Sequence, residues 1–413
     1  MSELAAIRGF KDILPGQSHL WRMLEDKARD VARRFDFSEL RPPLMERTEL
    51  FQRGLGEATD IVEKEMYTME DRGGERITLR PEATAGLVRA VIEHSLHGSG
   101  RPTRLFCLGP MFRYERPQKG RLRQFHQLDV EVFGDPGPQV DAEIIMWLHT
   151  FLRELGLSDL SVVLNSLGCP QCRPVFRDSL VSFLSGHRQT LCPDCDRRLD
   201  HNPLRVLDCK NPGCQTVVAE GPVLSDFLCP DCRNHFQGVK HSLDVLGVEY
   251  TLNGKLVRGL DYYTRTTFEV HSGNLGAQNA VAGGGRYDGL CARLGGPDIP
   301  AIGFAAGLER LILLLSEQNQ AAEPGPDYYA AVLCPEATEK AFALVQKLRA
   351  RNLAVAIDWE PGGLKSRLKR ADKAKAAKII MLGSDELACG EATVRNLADG
   401  EQKRLPLDRP DLF

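Results

Sequence analysis

What the 413-residue chain lacks narrows its class first. No segment approaches the roughly 18–20 unbroken apolar residues of a membrane span. The opening "MSELAAIRGFKDILPG" has no basic region followed by an apolar run, so a secretory signal is not expected and a cytoplasmic protein is. No G-x-x-x-x-G-K-[ST] loop occurs, which excludes a P-loop as the phosphate cradle, and "GGGRYDG" (283–289) departs from the dinucleotide fingerprint. Its glycines either turn the chain tightly or let backbone approach a ligand. No fixed-period repeat or low-complexity tract is present. A formal net charge of −3 argues against coating nucleic acid indiscriminately, while leaving room for a local basic patch.

Cysteine is plentiful instead, with twelve residues, eight of them in close pairs between Cys169 and Cys232. In a reducing compartment such pairs point to metal ligation more than to disulfides. Cys169-x2-Cys172 and Cys192-x2-Cys195 have a zinc-ribbon spacing, and Cys209-x4-Cys214 with Cys229-x2-Cys232 makes a second set. Structural Zn2+ held by thiolates is one reading. Reduced cysteines filling a small core is the other.

At this length two or three domains are expected. Residues 18–35 read as an amphipathic helix with Leu20, Leu24, Ala28, Val31 and Phe35 on one stripe and Ser18 as N-cap. "FSELRPPLMERTELF" cannot stay helical through Pro42 and Pro43 and reads as a turn into an edge strand. A short strand precedes Pro81 and a helix begins near Thr84. "RLFCLGPMFRYE" and "FHQLDVEVFG" read as strands, and 141–155 as a helix. The cysteine block, 168–240, interrupts this pattern as an insertion. "LVRGLDYYTRTTFEVHS" is strand-like, and "AIGFAAGLERLILLLSE" is a strand running into a helix. After the polar stretch 318–327, a linker, the alternation β-α-β-α-β implies a small, mostly parallel α/β domain over 328–413.

"FRYERPQKGRLRQFHQLDVE" (112–131) packs five Arg or Lys and three carboxylates into twenty residues between two apolar segments. Side chains alternate across a strand. Phe125, Gln127, Asp129 and Glu131 therefore share one face, and Leu128, Val130 and Val132 the other. A solvated hairpin tip is the alternative, but the polar face also carries an aromatic ring and an amide. Guanidinium groups fork onto phosphate oxygens and a ring stacks on a base. This is the composition of a nucleoside-polyphosphate site.

These segments, with "LRPEATAG", "LVRGLDYYTRT", "GGGRYDGL" and "AIGFAAGLERL" in order, resemble class II aminoacyl-tRNA synthetases, and the whole chain is similar to the histidyl-tRNA synthetase family. The 112–131 segment resembles motif 2. The resemblance implies an α+β fold: an antiparallel sheet flanked by helices (1–167 and 241–317), the Cys-rich insertion, and a C-terminal α/β domain like an anticodon-binding domain. It implies an obligate homodimer with the 18–35 helix and the strand after Pro43 at the seam. It also implies the reaction: L-histidine and ATP, the latter with Mg2+, give histidyl-adenylate and pyrophosphate, and the acyl group then passes to the 3′ end of tRNA(His).

By match to the family's motifs, Arg113 and Arg258 would neutralise the α-phosphate as catalytic residues, the second doing work a metal performs in related enzymes. Arg121 and Arg310 would hold the distal phosphates and nucleotide, Phe125 would stack on adenine, and Glu115 would accept from its amino group. Glu82, Thr84 and Gln127 would bind the amino and carboxyl ends of histidine. Glu131 and Tyr263 would hold the imidazole, with Tyr262 nearby. Arg116 and Gln118 would meet the tRNA acceptor end, and the insertion its acceptor arm. "LKSRLKRADKAKAAK" (364–378), with seven Lys or Arg, would contact phosphates. Two rivals remain. One is a histidine-sensing regulatory paralogue of ATP phosphoribosyltransferase, a class that typically lacks the C-terminal domain. The other is a zinc-dependent nucleic-acid-binding protein.

Overall fold

The computed structural model describes residues 4–56, 59–273, 280–317 and 325–413. The chain divides into two compact units, Met1–Gln320 and Ala321–Phe413. Most of the stretch expected as a linker, 318–324, lies outside the described residues.

The first unit is built on an eight-stranded sheet. In spatial order its strands are Ser38–Glu39, Thr103–Phe112, Gln124–Phe133, Ala301–Gly307, Ala280–Arg286, Thr264–Ser272, Leu160–Ser166 and Tyr250–Leu252. All neighbours are antiparallel except the two edge pairs. The expected alternation is realised on the Gln124–Phe133 strand. Leu128, Val130 and Val132 are buried beneath the helices Ser18–Arg34 and Pro138–Glu154, whose Leu24, Ala28, Val31, Trp147 and Phe151 complete that core. The opposite face is left to carry the polar residues. A smaller antiparallel sheet, ordered Met45–Arg47, Arg76–Leu79, Tyr67–Glu70, confirms the edge strand after Pro43.

Three local expectations are corrected. Ser18 opens its helix rather than capping it; Gln17 sits at the cap position and makes no side-chain cap bond. Residues 257–263 form a loop, so only Thr264–Ser272 of "LVRGLDYYTRTTFEVHS" is strand. The triplet Gly283–Gly285 is not a turn but the middle of a strand. There close approach requires it: a Cβ on Gly284 would stand 2.6 Å from Phe304 Cβ.

The insertion folds into the helices Cys172–Ser185, Pro193–His201, Pro212–Glu220 and Pro230–Leu246 around its own core, in which Phe176, Leu180, Leu184 and Leu199 are buried. Proline at the first helical position, where no N–H is required, sets Cys192 and Cys229 at the caps of two of these helices. The last helix returns to the eight-stranded sheet. Its His235 Nε2 lies 2.8 Å from Asp141 Oδ2, and Arg286, from "GGGRYDG", donates to the same carboxylate.

In the second unit a five-stranded sheet runs Val355–Asp358, Tyr328–Val332, Lys378–Leu382, Glu391–Asn396, Gln402–Pro406. The first three are parallel, as the β-α-β-α-β alternation implies, and the last two add an antiparallel hairpin. Of the seven cations in 364–378, Arg367 is buried and donates to the Asp358 carbonyl over 2.9 Å, and Arg370 donates to Asp358 Oδ2 over 2.8 Å. Those two are spent on the fold, while Lys365, Lys369, Lys373 and Lys375 are exposed.

Candidate active site

The polar face of the large sheet lines a cleft of about 320 Å³. Its floor follows from strand register. Gln127, Asp129 and Glu131 lie opposite Gly307, Ala305 and Gly303, so each long polar side chain faces a residue too small to fill the space above it. The pattern "GFAAG" thereby puts Phe304 and Ala306 in the core and leaves glycine and alanine on the cleft side. A Cβ on Gly303 would collide with the Glu131 carboxylate.

One end of the cleft is acidic. Glu82 accepts the backbone N–H groups of Thr84 and Ala85, both over 2.9 Å, at the start of the helix Thr84–Glu93. Thr84 Oγ1 donates to Glu131 Oε1 over 2.7 Å, and the Tyr287 hydroxyl donates to Glu131 Oε2 over 2.6 Å. Burial pushes the Glu82 carboxyl up, against the bonds from Ala85 and Thr84. It pushes Glu131 well above the glutamate range despite Tyr287 and Thr84. Asp129 is likewise well above the aspartate range, through burial and the neighbouring Glu82 charge. Both Asp129 oxygens and Gln127 Oε1 have no hydrogen-bond partner among the described residues. Buried polar atoms of this kind call for a ligand. Three confined carboxyls call for one that brings positive charge and N–H donors.

The other end is cationic. Arg113 donates to the Pro81 carbonyl over 2.8 Å and lies with Cζ 5.4 Å from the Phe125 ring centre. Burial lowers it, opposed by Glu65 and Glu82. Arg121 is lowered by burial and, in spite of Glu65, by repulsion from Arg113 and Arg310. Burial lowers Arg310 as well. Arg258, in the 257–263 loop, pairs with Glu269 and lies 5.7 Å from the Tyr263 ring; Tyr263 and Glu269 together outweigh its burial and raise it. Arg113, Arg121, Arg258 and Arg310 thus gather at one end of the cleft, and although Arg258 pairs with Glu269, guanidinium groups clustered in this way suit the forked recognition of phosphate oxygens.

Twelve expected residues line this one cleft: Glu82, Thr84, Arg113, Glu115, Arg121, Phe125, Gln127, Glu131, Arg258, Tyr262, Tyr263 and Arg310. Glu115 is ion-paired with Arg121. Arg116 and Gln118 lie outside it, exposed on the hairpin tip, where Gln118 and Arg121 exchange backbone bonds of 3.0 and 2.9 Å. At the tip Lys119 Nζ donates to Glu317 over 2.9 Å. Two cleft residues were missed. Asp129 was legible by parity but given no role, and Tyr287 sat unread in "GGGRYDG".

The cysteine sets are not those read from the sequence. Cys169, Cys172, Cys229 and Cys232 gather in one group, and Cys192, Cys195, Cys209 and Cys214 in another, all four sulfurs of each within 4.8 Å of one another. The first group is assembled from the two ends of the insertion, which only its folding brings together.

The histidyl-tRNA synthetase family model matches residues 9–171 and 231–311, leaving most of the insertion unmatched, and the anticodon-binding-domain model matches 318–409. A histidine–tRNA ligase from Solidesulfovibrio magneticus is 51% identical over 409 residues, 99% of this chain and 96% of the relative. One from Desulfosudis oleivorans is 52% identical over 98% of this chain and 96% of its own length. The crystal structure of apo S. aureus histidyl-tRNA synthetase superposes with a TM-score of 0.84 at 34% identity, covering 100% of both chains. With its fold and 99% of its length matched, the chain belongs to the histidyl-tRNA synthetase family.

Proposed function

We propose that the protein is a histidine–tRNA ligase working through the cleft described above. The observation that carries the reading is the cleft's polarity: three buried carboxyls at one end and four arginines at the other. Histidine brings an ammonium and a ring N–H for the first, and ATP brings phosphates for the second. Glu82, Thr84, Gln127 and Asp129 bind the ammonium and carboxylate ends of histidine. Glu131, held by Thr84 and Tyr287, takes an imidazole N–H, with Tyr262 and Tyr263 closing around the ring. A pocket built for ring nitrogens leaves its own polar groups unpaired when an analogue lacks them.

In the first step a carboxylate oxygen of histidine attacks the α-phosphorus of ATP. The new C(O)–O–P bond forms as the bond to the β-phosphate oxygen breaks, and pyrophosphate leaves with that electron pair. Negative charge rises on the α-phosphate oxygens, and Arg113 and Arg258 stand in fixed positions to meet it. Arg121 and Arg310 hold the distal phosphates, and Phe125 and Glu115 the adenine. The carboxylates lining this end, Glu115, Glu269 and Glu309, are engaged by Arg121, by Arg258 and His271, and by His126. Mg2+ therefore enters with the triphosphate as part of the substrate. In the second step the terminal ribose hydroxyl of tRNA(His) takes the acyl group and AMP leaves, with Arg116 and Gln118 at the acceptor end.

The domain reading accompanies this one: catalytic core 1–167 and 241–317, insertion 168–240 holding structural Zn2+, linker 318–327 and anticodon-binding domain 328–413. A cytoplasmic homodimer is part of the proposal. The helix Ser18–Arg34 already buries its apolar stripe in the core, whereas Met45 and Met69 of the small sheet and Leu44 just before it are 48%, 40% and 43% exposed, which favours that sheet for the seam. The histidine-sensing alternative is not favoured, because the matches extend through the C-terminal unit and four arginines line the cleft. Amino-acid-dependent ATP–pyrophosphate exchange, run with all twenty amino acids and no tRNA, tests the reading. Exchange with histidine alone is expected. No exchange from folded, dimeric protein would move the weight to the sensor.

A further inference from the structure

The two cysteine groups are built alike. Sulfur separations are 3.7 Å for Cys169–Cys172, 4.0 Å for Cys169–Cys229 and 3.8 Å for Cys192–Cys209. A disulfide would need about 2.05 Å. Four thiolates around Zn2+ at about 2.3 Å form a tetrahedron whose edges are about 3.8 Å. Backbone N–H groups already point at sulfur: Cys229 N donates to Cys172 Sγ over 3.1 Å, Cys192 N to Cys214 Sγ over 3.2 Å and Asn211 N to Cys209 Sγ over 3.4 Å. Such donors lessen the charge of a thiolate set, as second-shell partners of metal ligands do.

The groups are nested in the chain. The outer one closes the insertion at its two ends, directly after the strand Leu160–Ser166, where Leu167 N donates to the Arg265 carbonyl over 2.6 Å. The inner one closes residues 192–214. Within that inner loop, Asn202 Nδ2 donates to Asp261 Oδ1 over 3.2 Å, and Arg205 Nη1 donates to the backbone carbonyl of Arg258 over 3.3 Å. Arg205 also reaches Asp60 Oδ2 at 3.3 Å, just before Ile61, which lines the cleft. Arg205 therefore bridges the 257–263 loop and the segment at Asp60.

We propose that the insertion carries two nested tetrathiolate zinc sites, and that the inner ion acts as a positioning device by fixing Asn202 and Arg205 against the backbone of the Arg258 loop. Arg205 touches no substrate; it acts through Arg258. A loop of 257–263 with no regular structure depends on outside partners for its position, and the inner site makes those partners rigid. The second half of the proposal rests on the role given to Arg258 above.

The test uses the full chain purified under reducing conditions without chelator. Elemental analysis should find two zinc ions per chain. Cys195→Ser with Cys214→Ser should leave one, as should Cys172→Ser with Cys232→Ser. Cobalt substitution should give the visible absorption of a tetrahedral tetrathiolate, with one site's intensity lost in each pair variant. Because those variants can also lose folding of the insertion, Arg205→Ala carries the positioning claim. It should keep both ions and an unchanged histidine KM, while kcat for pyrophosphate exchange falls on the order of tenfold, in the range for residues that orient a site from behind. A chain without zinc, or with one ion among eight thiols, overturns the sites. Two ions with Arg205→Ala at wild-type kcat overturns the positioning role. Absence of exchange in the wild type would instead count against the ligase reading, and the zinc count would stand apart from it.

Discussion

The hydroxyl of Tyr287 donates to Glu131 Oε2 over 2.6 Å, which fixes the carboxylate proposed above to take the imidazole N–H of histidine. Tyr287→Phe keeps the ring, which is buried between Phe133 and Tyr262, and removes only this bond. A net hydrogen bond to a charged group is worth about 1.5–3 kcal/mol. The histidine KM in exchange assays should therefore rise roughly tenfold or more, with the ATP KM unchanged. An unaltered histidine KM would show that Glu131 is held well enough by Thr84 alone.

Arg258 and Gly283 set a second expectation. A Cβ on Gly283 would stand 2.7 Å from Cζ of Arg258, so glycine is needed for the guanidinium to lie where it does. Gly283→Ala should lower kcat for adenylate formation by roughly 10–100-fold through displacement of that group. Arg258→Ala should do more, about 100–1,000-fold as for loss of a group that meets developing charge. Both should still bind histidine in equilibrium dialysis. Pyrophosphate exchange at the wild-type rate in Arg258→Ala would remove the residue from the chemistry.

The acidic end should give histidine binding a marked pH dependence. Burial raises the Asp129, Glu131 and Glu82 carboxyls in the free protein, so on the acid side they are neutral and offer less to an ammonium or a ring N–H. Affinity for histidine should rise as pH increases through those elevated values. Asp129→Asn should weaken binding and remove part of this slope, measurable by calorimetry across the range in which the protein stays folded. A slope identical to the wild type would mean that Asp129 is not in contact with the ligand.

Asp141 works in the opposite direction. Burial alone would raise its carboxyl, but the bond to His235 and the charge and bonds of Arg286 hold it below the aspartate range. Its stabilising contribution is therefore complete above the unfolded-state value of about 3.9 and is lost as pH falls towards the depressed native one. Asp141→Asn leaves the buried Arg286 with only Asp288, at 3.3 Å, as counter-charge and should cost up to about 3–5 kcal/mol near neutrality. The difference from wild type should narrow in acid. Denaturant unfolding of the sheet-containing unit at several pH values would read both effects.

Much of this site was open to sequence reasoning because strand geometry is local. The alternation of Phe125, Gln127, Asp129 and Glu131 with Leu128, Val130 and Val132 assigns faces without knowledge of any neighbour, and the motif order then suggests what the polar face binds. Tyr287 escaped that reasoning, since nothing near it in the chain reveals that its hydroxyl ends beside Glu131, 156 residues away. The Arg258 loop escaped it too. Val257, Leu260, Tyr262 and Tyr263 have strand-like composition, but they join a core shared with Phe51, Val88, Phe133 and Tyr287 and, among the described residues, pair with no strand to complete a ladder.

By itself the sequence determined which residues could share a surface: period-two faces, and C-x2-C pairs preset by short spacing. These depend on covalent distance and backbone stereochemistry, which hold before the chain folds. Only the tertiary structure decided how those pieces combine. It joined Cys169 and Cys172 to Cys229 and Cys232 rather than to their nearer neighbours. It set Tyr287 against Glu131 and laid Arg258 over Gly283. Such pairings join segments far apart in the chain, and the packing of buried surface, which acts through space, is what selects among them.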